Sequence, residues 1–170
     1  MVTGSKRVIR PTAQGRELPS DRLAAKAIKV SESVDQRIEA PTALDIDRIA
    51  RSLIHAESVA KEIAGRSLDG SRADLASIQA VLDAGAVERD AAYTLQCLGL
   101  AFGKVFVEET TGFDWWMVED EFGRDPAIRF GQTSLLAFPQ TMILKRIESG
   151  ESVDLESLFD QLSERMQELA

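Results

Sequence analysis

The sequence predicts an α+β fold, and the changing spacing of its apolar residues carries that prediction. From Ala43 to about Thr110 the apolar residues recur at the three- and four-residue spacing of amphipathic helices. After Gly112 the spacing changes to two, as it does along a strand. Between Leu95 and Val107 apolar residues cover nearly the whole helix circumference, which is typical of a buried helix. We therefore predict a helical layer around a central buried helix, packed on a three-stranded antiparallel meander and followed by two C-terminal helices.

The charge of the chain is negative and unevenly distributed. Its 170 residues carry a net charge of −8, with 44% hydrophobic and 28% charged residues. Residues 1–40 hold eight Lys and Arg against five Asp and Glu, which leaves the remainder at −11. An acidic body repels phosphate backbones, so we do not expect the main domain to bind nucleic acid.

The cysteine content and the hydropathy pattern favour a cytoplasmic protein. One cysteine cannot form an internal disulfide, and no charged segment followed by an apolar one opens the chain. The most apolar run, Leu95 to Val107, is shorter than the roughly 20 residues of a membrane helix. We expect neither a membrane segment nor a disulfide, and the oligomeric state stays open.

Residues 1–40 are expected to form a basic N-terminal arm, partly helical, ahead of a single domain over residues 41–170. Met1 to Pro19 is rich in turn residues and has no sustained apolar period. Ser20 to Ala40 has helical spacing and a helix is predicted there, ended by Pro41. The apolar residues behind this prediction are Leu23, Ala27, Val30, Val34 and Ile38.

Three helices are predicted before the meander, at Ala43–Ala64, Ser71–Ala84 and Asp90 to about Thr110. The first is strongly amphipathic, and the only histidine, His55, falls on its polar face. The second has Ser71 and Asp74 in capping-box arrangement. The residues expected to face the core from the first helix are Ile46, Ile49, Ala50, Leu53, Ala60, Ile63 and Ala64.

Gly99 and Gly103 stand four apart in the predicted central helix, with Gln96 one turn earlier. Two glycines lower helix propensity by about 2 kcal/mol, so something must approach the backbone closely. Either another helix or the sheet packs into this groove, or a small ligand lies over the glycines and contacts Gln96. Cys97 has no basic neighbour in sequence and is interpreted as inert core filling.

The meander contains the most interesting carboxylate of the chain. Alternation places Asp120 with Trp116 on one face of its strand, whereas Trp115 lies on the other. If the Trp116 face packs on the glycine-bearing helix, Asp120 is buried and needs a cation. Arg146, from the helix that begins at Pro139, is the expected partner, with Arg124 as the second choice.

Two functions remain open. The first is a non-catalytic interaction or regulatory module with an acidic surface, whose partner is another protein. The second is a small-ligand-binding protein or enzyme with a site near Asp120, Arg124 and Arg146, to which the neighbouring acids contribute. No metal or cofactor is expected, since there is one His and one Cys and the acidic run lacks EF-hand spacing. These neighbouring acids are Glu119, Glu121 and Asp125.

Leu75 to Leu158 resembles a family of bacterial proteins catalogued as domain of unknown function 3806. The resemblance implies a common fold unit and supplies no mechanism, because the family has no established activity. Residues 1–40 lie outside it. The carrying blocks are IQAVLD from Ile78, LQCLGLAFG from Leu95, WMVEDEFGRDPAIR from Trp116 and FPQTMILKRIESGE from Phe138. The positions that match the family pattern are Gly99, Gly103, Asp120, Gly123, Arg124, Pro139 and Arg146.

Overall fold

The computed structural model describes residues 28–30, 36–88 and 91–169, the first three as backbone. Over these residues the chain forms five helices and five strands. The helices are α1 (Ala43–Ala64), α2 (Ala73–Asp83), α3 (Ala92–Glu109), α4 (Pro139–Glu148) and α5 (Leu155–Leu169). The strands are β1 (Ile28–Val30), β2 (Arg37–Glu39), β3 (Phe113–Asp120), β4 (Gly123–Phe130) and β5 (Leu135–Ala137).

Local sequence signals set the ends of α1 and the start of α4. Thr42 and Asp45 form a capping box, in which each side chain accepts a hydrogen bond from the backbone N–H of the other. Gly65 ends α1 at φ 66°, a conformation that glycine adopts without strain. Pro139 occupies the first turn of α4 as predicted, where its missing N–H costs nothing.

The α2 capping box that was predicted at Ser71 and Asp74 is not formed. Asp74 Oδ2 instead accepts hydrogen bonds from the backbone N–H groups of Asp69 and Gly70, at 3.0 and 2.7 Å. The carboxylate therefore orders the loop before the helix, and its burial raises its pKa. Asp90, the predicted start of α3, lies outside the described residues.

The sheet is antiparallel throughout, with strand order β1-β5-β4-β3-β2. The predicted meander is confirmed as β3, β4 and β5. Two further strands, β1 and β2, pair with its outer edges. The helix predicted over Ser20–Ala40 is therefore wrong for Ile28–Val30 and Arg37–Glu39, because edge pairing overrides the helical spacing there. The rest of that prediction, like Met1–Pro19, falls outside the described residues.

The α+β class and the central position of α3 are confirmed. Leu98 and Phe102 are fully buried, and α3 packs between α4, α1 and the sheet. Phe106 extends this core through ring contacts with Phe102, Phe113 and Phe159, at centroid distances of 5.2, 5.4 and 4.3 Å. Among the described residues, no helix is both long and apolar enough to span a membrane.

The predicted inward face of α1 is rotated relative to the observed one. Ile49 and Ala60 are buried as expected, but Ile46 and Ala50 are exposed. The reason is that two polar residues take buried positions, since Asp45 pairs with an arginine and Ser52 donates to a backbone carbonyl. These contacts turn the helix away from its purely apolar stripe.

The sheet face that packs on α3 is also the opposite of the expected one. Trp115, rather than Trp116, contacts α3 beside Gly103. Trp116 lies on the other face, where its ring is 4.5 Å from the Arg129 guanidinium. That face has its own small core, made of Val118, Ala127 and Leu136 with Ile38 and Phe138 against it.

Candidate functional site

Arg124 joins the meander to α1 and β2 through one carboxylate from each, and a third carboxylate comes from the neighbouring strand β3. Its Nη2 atom lies 2.9 Å from Asp45 Oδ2, and its Nη1 atom lies 2.7 Å from Glu39 Oε2. Glu119 Oε2 is 3.4 Å from the same Nη1 atom. Strand register explains the gathering, because Arg124 is directly opposite Glu119 and their side chains share one face.

Both the side chain and the backbone of Arg124 hold the first turn of α1 against the β3–β4 hairpin. Its guanidinium binds Asp45, while its backbone carbonyl accepts a hydrogen bond from Arg48 Nη2 at 2.7 Å. Asp45 and Arg48 are one turn apart, so both contacts come from the same side of the helix. The hairpin and α1 are thus fastened together at this end of the molecule.

Charge pairing stabilises the ionised forms of both partners. Hydrogen bonds from Arg124 hold the pKa of Asp45 well below its usual range, reinforced by contacts with Thr42 and opposed by burial. The pKa of Arg124 is raised by Asp45 and then by Glu39. Because its guanidinium is surrounded by carboxylates of the protein itself, we interpret Arg124 as a structural brace.

Asp120 does not take the buried, paired position that was expected. Within the described residues it forms no ion pair with Arg146 or Arg124, and its Oδ1 atom accepts the backbone N–H of Phe122 at 2.9 Å. This side-chain bond shapes the two-residue turn between β3 and β4. The physical reason is the reversed sheet face, since Asp120 points away from α3.

Arg146 lies apart from Asp120 and Arg124, near the start of α5. It is only 8% exposed, and its Nη1 atom donates to the carbonyl of Met142 at 2.9 Å. Burial lowers its pKa, and the charge of Glu151 opposes that change. Beside it is a cavity of about 100 Å³, which Asp154 and Gln161 also line. The structure therefore divides the three residues of the predicted site between two places.

The groove at Gly99 and Gly103 is filled by α4, which confirms the packing interpretation. A methyl group at Gly99 would overlap the carbonyl oxygen of Pro139 and approach the Cα of Gln140 to 2.9 Å. At Gly103 it would come within 2.8 Å of the Pro139 and Trp115 side chains. No room remains over these glycines for a ligand.

Gln96 instead lines a cleft of about 310 Å³ between α1, α3, α4 and β4. The floor is apolar and buried, and the walls carry hydrogen-bonding groups from all four elements. A cleft with an apolar floor and a few polar groups is typical of small-ligand sites. The lining residues are Arg48, Ile49, Ser52, Tyr93, Gln96, Cys97, Leu100, Asp125, Pro126, Gln140 and Thr141.

Cys97 and His55 are integrated into the packing around this cleft. Burial raises the pKa of the Cys97 thiol, against smaller opposing contacts from Tyr93 and Ser52, so the unreactive protonated form is favoured. His55 is half-buried rather than fully on the surface. Its Nε2 atom lies 3.2 Å from Thr94 Oγ1, and its ring centroid is 5.0 Å from that of Tyr93.

Sequence reasoning missed Asp45, Arg48, Gln140 and Thr141 as members of these sites. Asp45 was recognisable only as a residue of the first helical turn, and its pairing with Arg124 spans 79 positions. Gln140 and Thr141 follow Pro139, so the sequence indicated that they begin a helix. It did not indicate that this helix start packs beside Gln96 and α1. Within the described residues no group of three or more His, Cys, Asp or Glu is arranged to hold a metal ion.

Comparison with solved structures gives a fold relationship. A crystal structure from Bacteroides thetaiotaomicron VPI-5482 is similar to this chain, with a TM-score of 0.69 and 18% sequence identity. The similarity covers 80% of this chain and 50% of that one, so the chain spans about half the length of its structural relative. At this identity the likeness concerns the fold alone.

No curated protein matches the sequence. The model of one family does match, over residues 74–159, which is about half of the chain and includes α3, the meander and α4. The earlier resemblance rested on sequence blocks inside this range. The chain belongs to the family described as domain of unknown function DUF3806.

Proposed function

We propose that the protein is a non-catalytic interaction module that binds a basic partner protein through one apolar surface. We name this the α1–hairpin surface and define it as Leu44, Ile46, Ile54 and Phe122. The observation that carries the proposal is Phe122, which sits on the β3–β4 turn with 85% of its surface exposed. A large aromatic side chain held in solvent is typical of a binding anchor.

Most of the large exposed apolar side chains lie on two elements, α1 and the β3–β4 turn. Leu44 and Ile46 are 74% and 59% exposed, and they flank Asp45, the residue that binds Arg124. Because Arg124 is two residues from Phe122, this ion pair brings the hairpin turn to the same end of the molecule. Four of the six large exposed hydrophobic residues in the described chain belong to this surface.

Charge supports a basic partner. Glu121 and Asp125 flank the turn, are exposed, and form no ion pair within the described residues. They add to the net charge of −8. An apolar anchor surrounded by uncompensated carboxylates complements a partner with an apolar pocket and a cationic rim.

The residues singled out from sequence support this surface from behind. Asp120 fixes the turn by accepting the Phe122 N–H, and Arg124 braces the hairpin on α1. A surface fixed before binding loses less conformational entropy when a partner arrives. The one thiol of the described chain, Cys97, is buried, and burial raises its pKa and favours its unreactive protonated form. The contacts around Phe122 therefore favour a binding function over a catalytic one.

Substitution Phe122→Ser tests the proposal. It removes an exposed side chain, so we expect a stability change within about 0.5 kcal/mol, together with loss of the partner. Proteins captured from a lysate by the wild type and by the variant are quantified, and the main captured protein is then purified for titration calorimetry. We expect the Kd of the variant to be at least about tenfold higher than that of the wild type. We also expect the Kd of the wild type to rise with increasing salt concentration.

Leu169→Ser is the matched control, because Leu169 is exposed at the far end of α5 and outside the surface. It is expected to leave Kd unchanged. Equal binding by wild type and Phe122→Ser would contradict the proposal. A dimer detected by sedimentation velocity and broken by Phe122→Ser would replace the partner protein with a second copy of this chain.

The cleft at Gln96 favours a second candidate function, binding of a small ligand, because its volume lies at the lower end of the range for such sites, about 300–1,000 Å³. For either function we propose the cytoplasm as the compartment, since the single cysteine of the chain is buried and forms no disulfide.

A further inference from the structure

The cleft at Gln96 contains an arginine without a carboxylate partner. Elsewhere in the described chain, arginines of this acidic protein commonly bridge carboxylates, as at Arg37, Arg51, Arg72 and Arg124. Arg48 forms no ion pair with any described residue. One of its nitrogens, Nη2, donates to the Arg124 carbonyl, which fixes the side chain at the cleft and leaves its remaining N–H groups available.

Two side-chain amides face the same space. Gln96 comes from α3 and Gln140 from the first turn of α4. In the part of the chain that the structure describes, neither side chain takes part in a hydrogen bond, and neither is a buried unsatisfied group. Each amide therefore offers one acceptor and two donors to a molecule in the cleft.

The other walls of the cleft are already committed to the fold. Ser52 Oγ donates to the Arg48 carbonyl at 3.2 Å, and Thr141 Oγ1 donates to the Phe138 carbonyl at 3.2 Å. Cys97 and Leu100 give a buried apolar floor. Asp125 also lines the cleft, but it is opposite Val118 and so shares the strand face turned away from α3. The side-chain groups left for a ligand's carboxyl group are thus one guanidinium and two amides above an apolar base, and the cleft holds about 310 Å³.

We propose that this cleft binds a small organic carboxylate, whose carboxyl group pairs with Arg48 while Gln96 and Gln140 bond its polar atoms. A guanidinium matches a carboxylate with parallel hydrogen bonds. The same chemistry is offered by a free carboxylic acid and by the C-terminal carboxylate of a peptide. The cleft includes none of the four residues that define the α1–hairpin surface, so this proposal rests on the second candidate function and does not depend on the interaction module.

Titration calorimetry with three probes tests the proposal and distinguishes the sources. Succinate represents a free acid, N-acetyl-diglycine represents a peptide C-terminus, and N-acetyl-diglycinamide is the neutral counterpart. We expect saturable binding of at least one carboxylate and none of the amide. The preferred probe shows which source fits. Equal binding of the amide, or no saturable binding of either carboxylate, would overturn the proposal.

Variants of the cleft supply the controls. Arg48→Gln is expected to raise the Kd of the carboxylate probe by about tenfold or more, since a charged hydrogen-bond donor is lost. Arg51→Gln removes a cation from the same helix, outside the cleft, and is expected to change nothing. Gln96→Leu weakens binding without removing any hydrogen bond of the fold, so it separates ligand contact from misfolding. Equal weakening by Arg51→Gln would show a nonspecific charge effect and refute the site.

Discussion

Asp45 performs two structural tasks with one carboxylate. Its Oδ2 atom accepts the Thr42 N–H at 2.9 Å in the capping box and lies 2.9 Å from Arg124 Nη2. The side chain is buried, and Arg124 is only one-quarter exposed, so solvent screens the pair weakly. Removing one member of the pair leaves the other charge with fewer partners. This lowers the free energy of unfolding more than replacing both members would.

We predict that Asp45→Asn lowers the free energy of unfolding by about 2 kcal/mol at pH 7, between the values typical of exposed and buried pairs. The amide can still accept the Thr42 N–H, so most of the loss is electrostatic. Urea unfolding of both proteins measures it. Asp47→Asn is the control on the same helix, because Asp47 pairs with Arg51 at the exposed surface. A loss equally large for Asp47→Asn would contradict the assignment.

The same pair predicts how stability changes with pH. The pKa of Asp45 is lowered in the folded state, so its ionised form stabilises the protein above the unfolded pKa of about 3.9. This contribution is lost as pH falls below that value toward the folded pKa. We expect the difference between wild type and Asp45→Asn to be constant above about pH 5 and to narrow below about pH 4. Urea unfolding at pH 7 and pH 3 checks this, and a constant difference would exclude the mechanism.

Sequence alone identified the importance of Arg124 but not its partner. Strand alternation correctly placed Asp120 with Trp116, yet it could not show which face of the sheet meets the helices, since a tryptophan lies on each. That choice decides whether Asp120 is buried. Asp45 belongs to an ordinary helix cap in sequence, and only tertiary contact gives it an arginine.

At the scale of elements, the contact between α3 and α4 depends on the absence of side chains. Gly99 lies against the Pro139 and Gln140 backbone, whereas Gly103 lies against the Pro139 and Trp115 side chains. Backbone is fixed by the helix itself, but a side-chain ring can shift. The two glycines therefore have different tolerance for a methyl group.

We predict that Gly99→Ala lowers the free energy of unfolding by about 2 kcal/mol or more, despite a gain of about 1 kcal/mol in helix propensity. Gly103→Ala is expected to lose less, because its neighbours can adjust. Urea unfolding of the two variants gives the order. If Gly99→Ala is neutral or stabilising, the close packing of α4 on α3 is incorrect.

Elements with long periodic patterns were predictable, and short ones were not. The all-round apolarity of α3 indicated its central position, and the two-residue period indicated the meander. β1 and β2 have three residues each, too few for a period, and they exist because they pair with longer strands. The orientation of α1 was missed because its inward face includes Asp45 and Ser52, whose burial depends on partners elsewhere.

At the scale of the whole molecule, residues before α1 complete the sheet. β2 covers the outer edge of β3, and β1 covers the outer edge of β5. Without them, backbone N–H and C=O groups of the meander would face solvent along two open edges. Ile38 also packs against the small core of Val118, Ala127 and Leu136. The sheet therefore extends beyond the family match over residues 74–159.

The final prediction concerns a chain shortened to residues 41–170, the domain boundary expected from sequence. It lacks both edge strands, so we expect a lower thermal midpoint and concentration-dependent association through the exposed edges of β3 and β5. A chain shortened only by residues 1–27 retains both strands and serves as the control. Thermal melts and sedimentation velocity measure the two effects. If residues 41–170 melt at the same temperature as the full chain and stay monomeric, the edge strands contribute nothing and the shorter boundary is the correct one. If the chain of residues 41–170 associates and the control does not, the segment that carries β1 and β2 belongs to the folded domain, because β3 is eight residues long and can template pairing wherever β2 is missing.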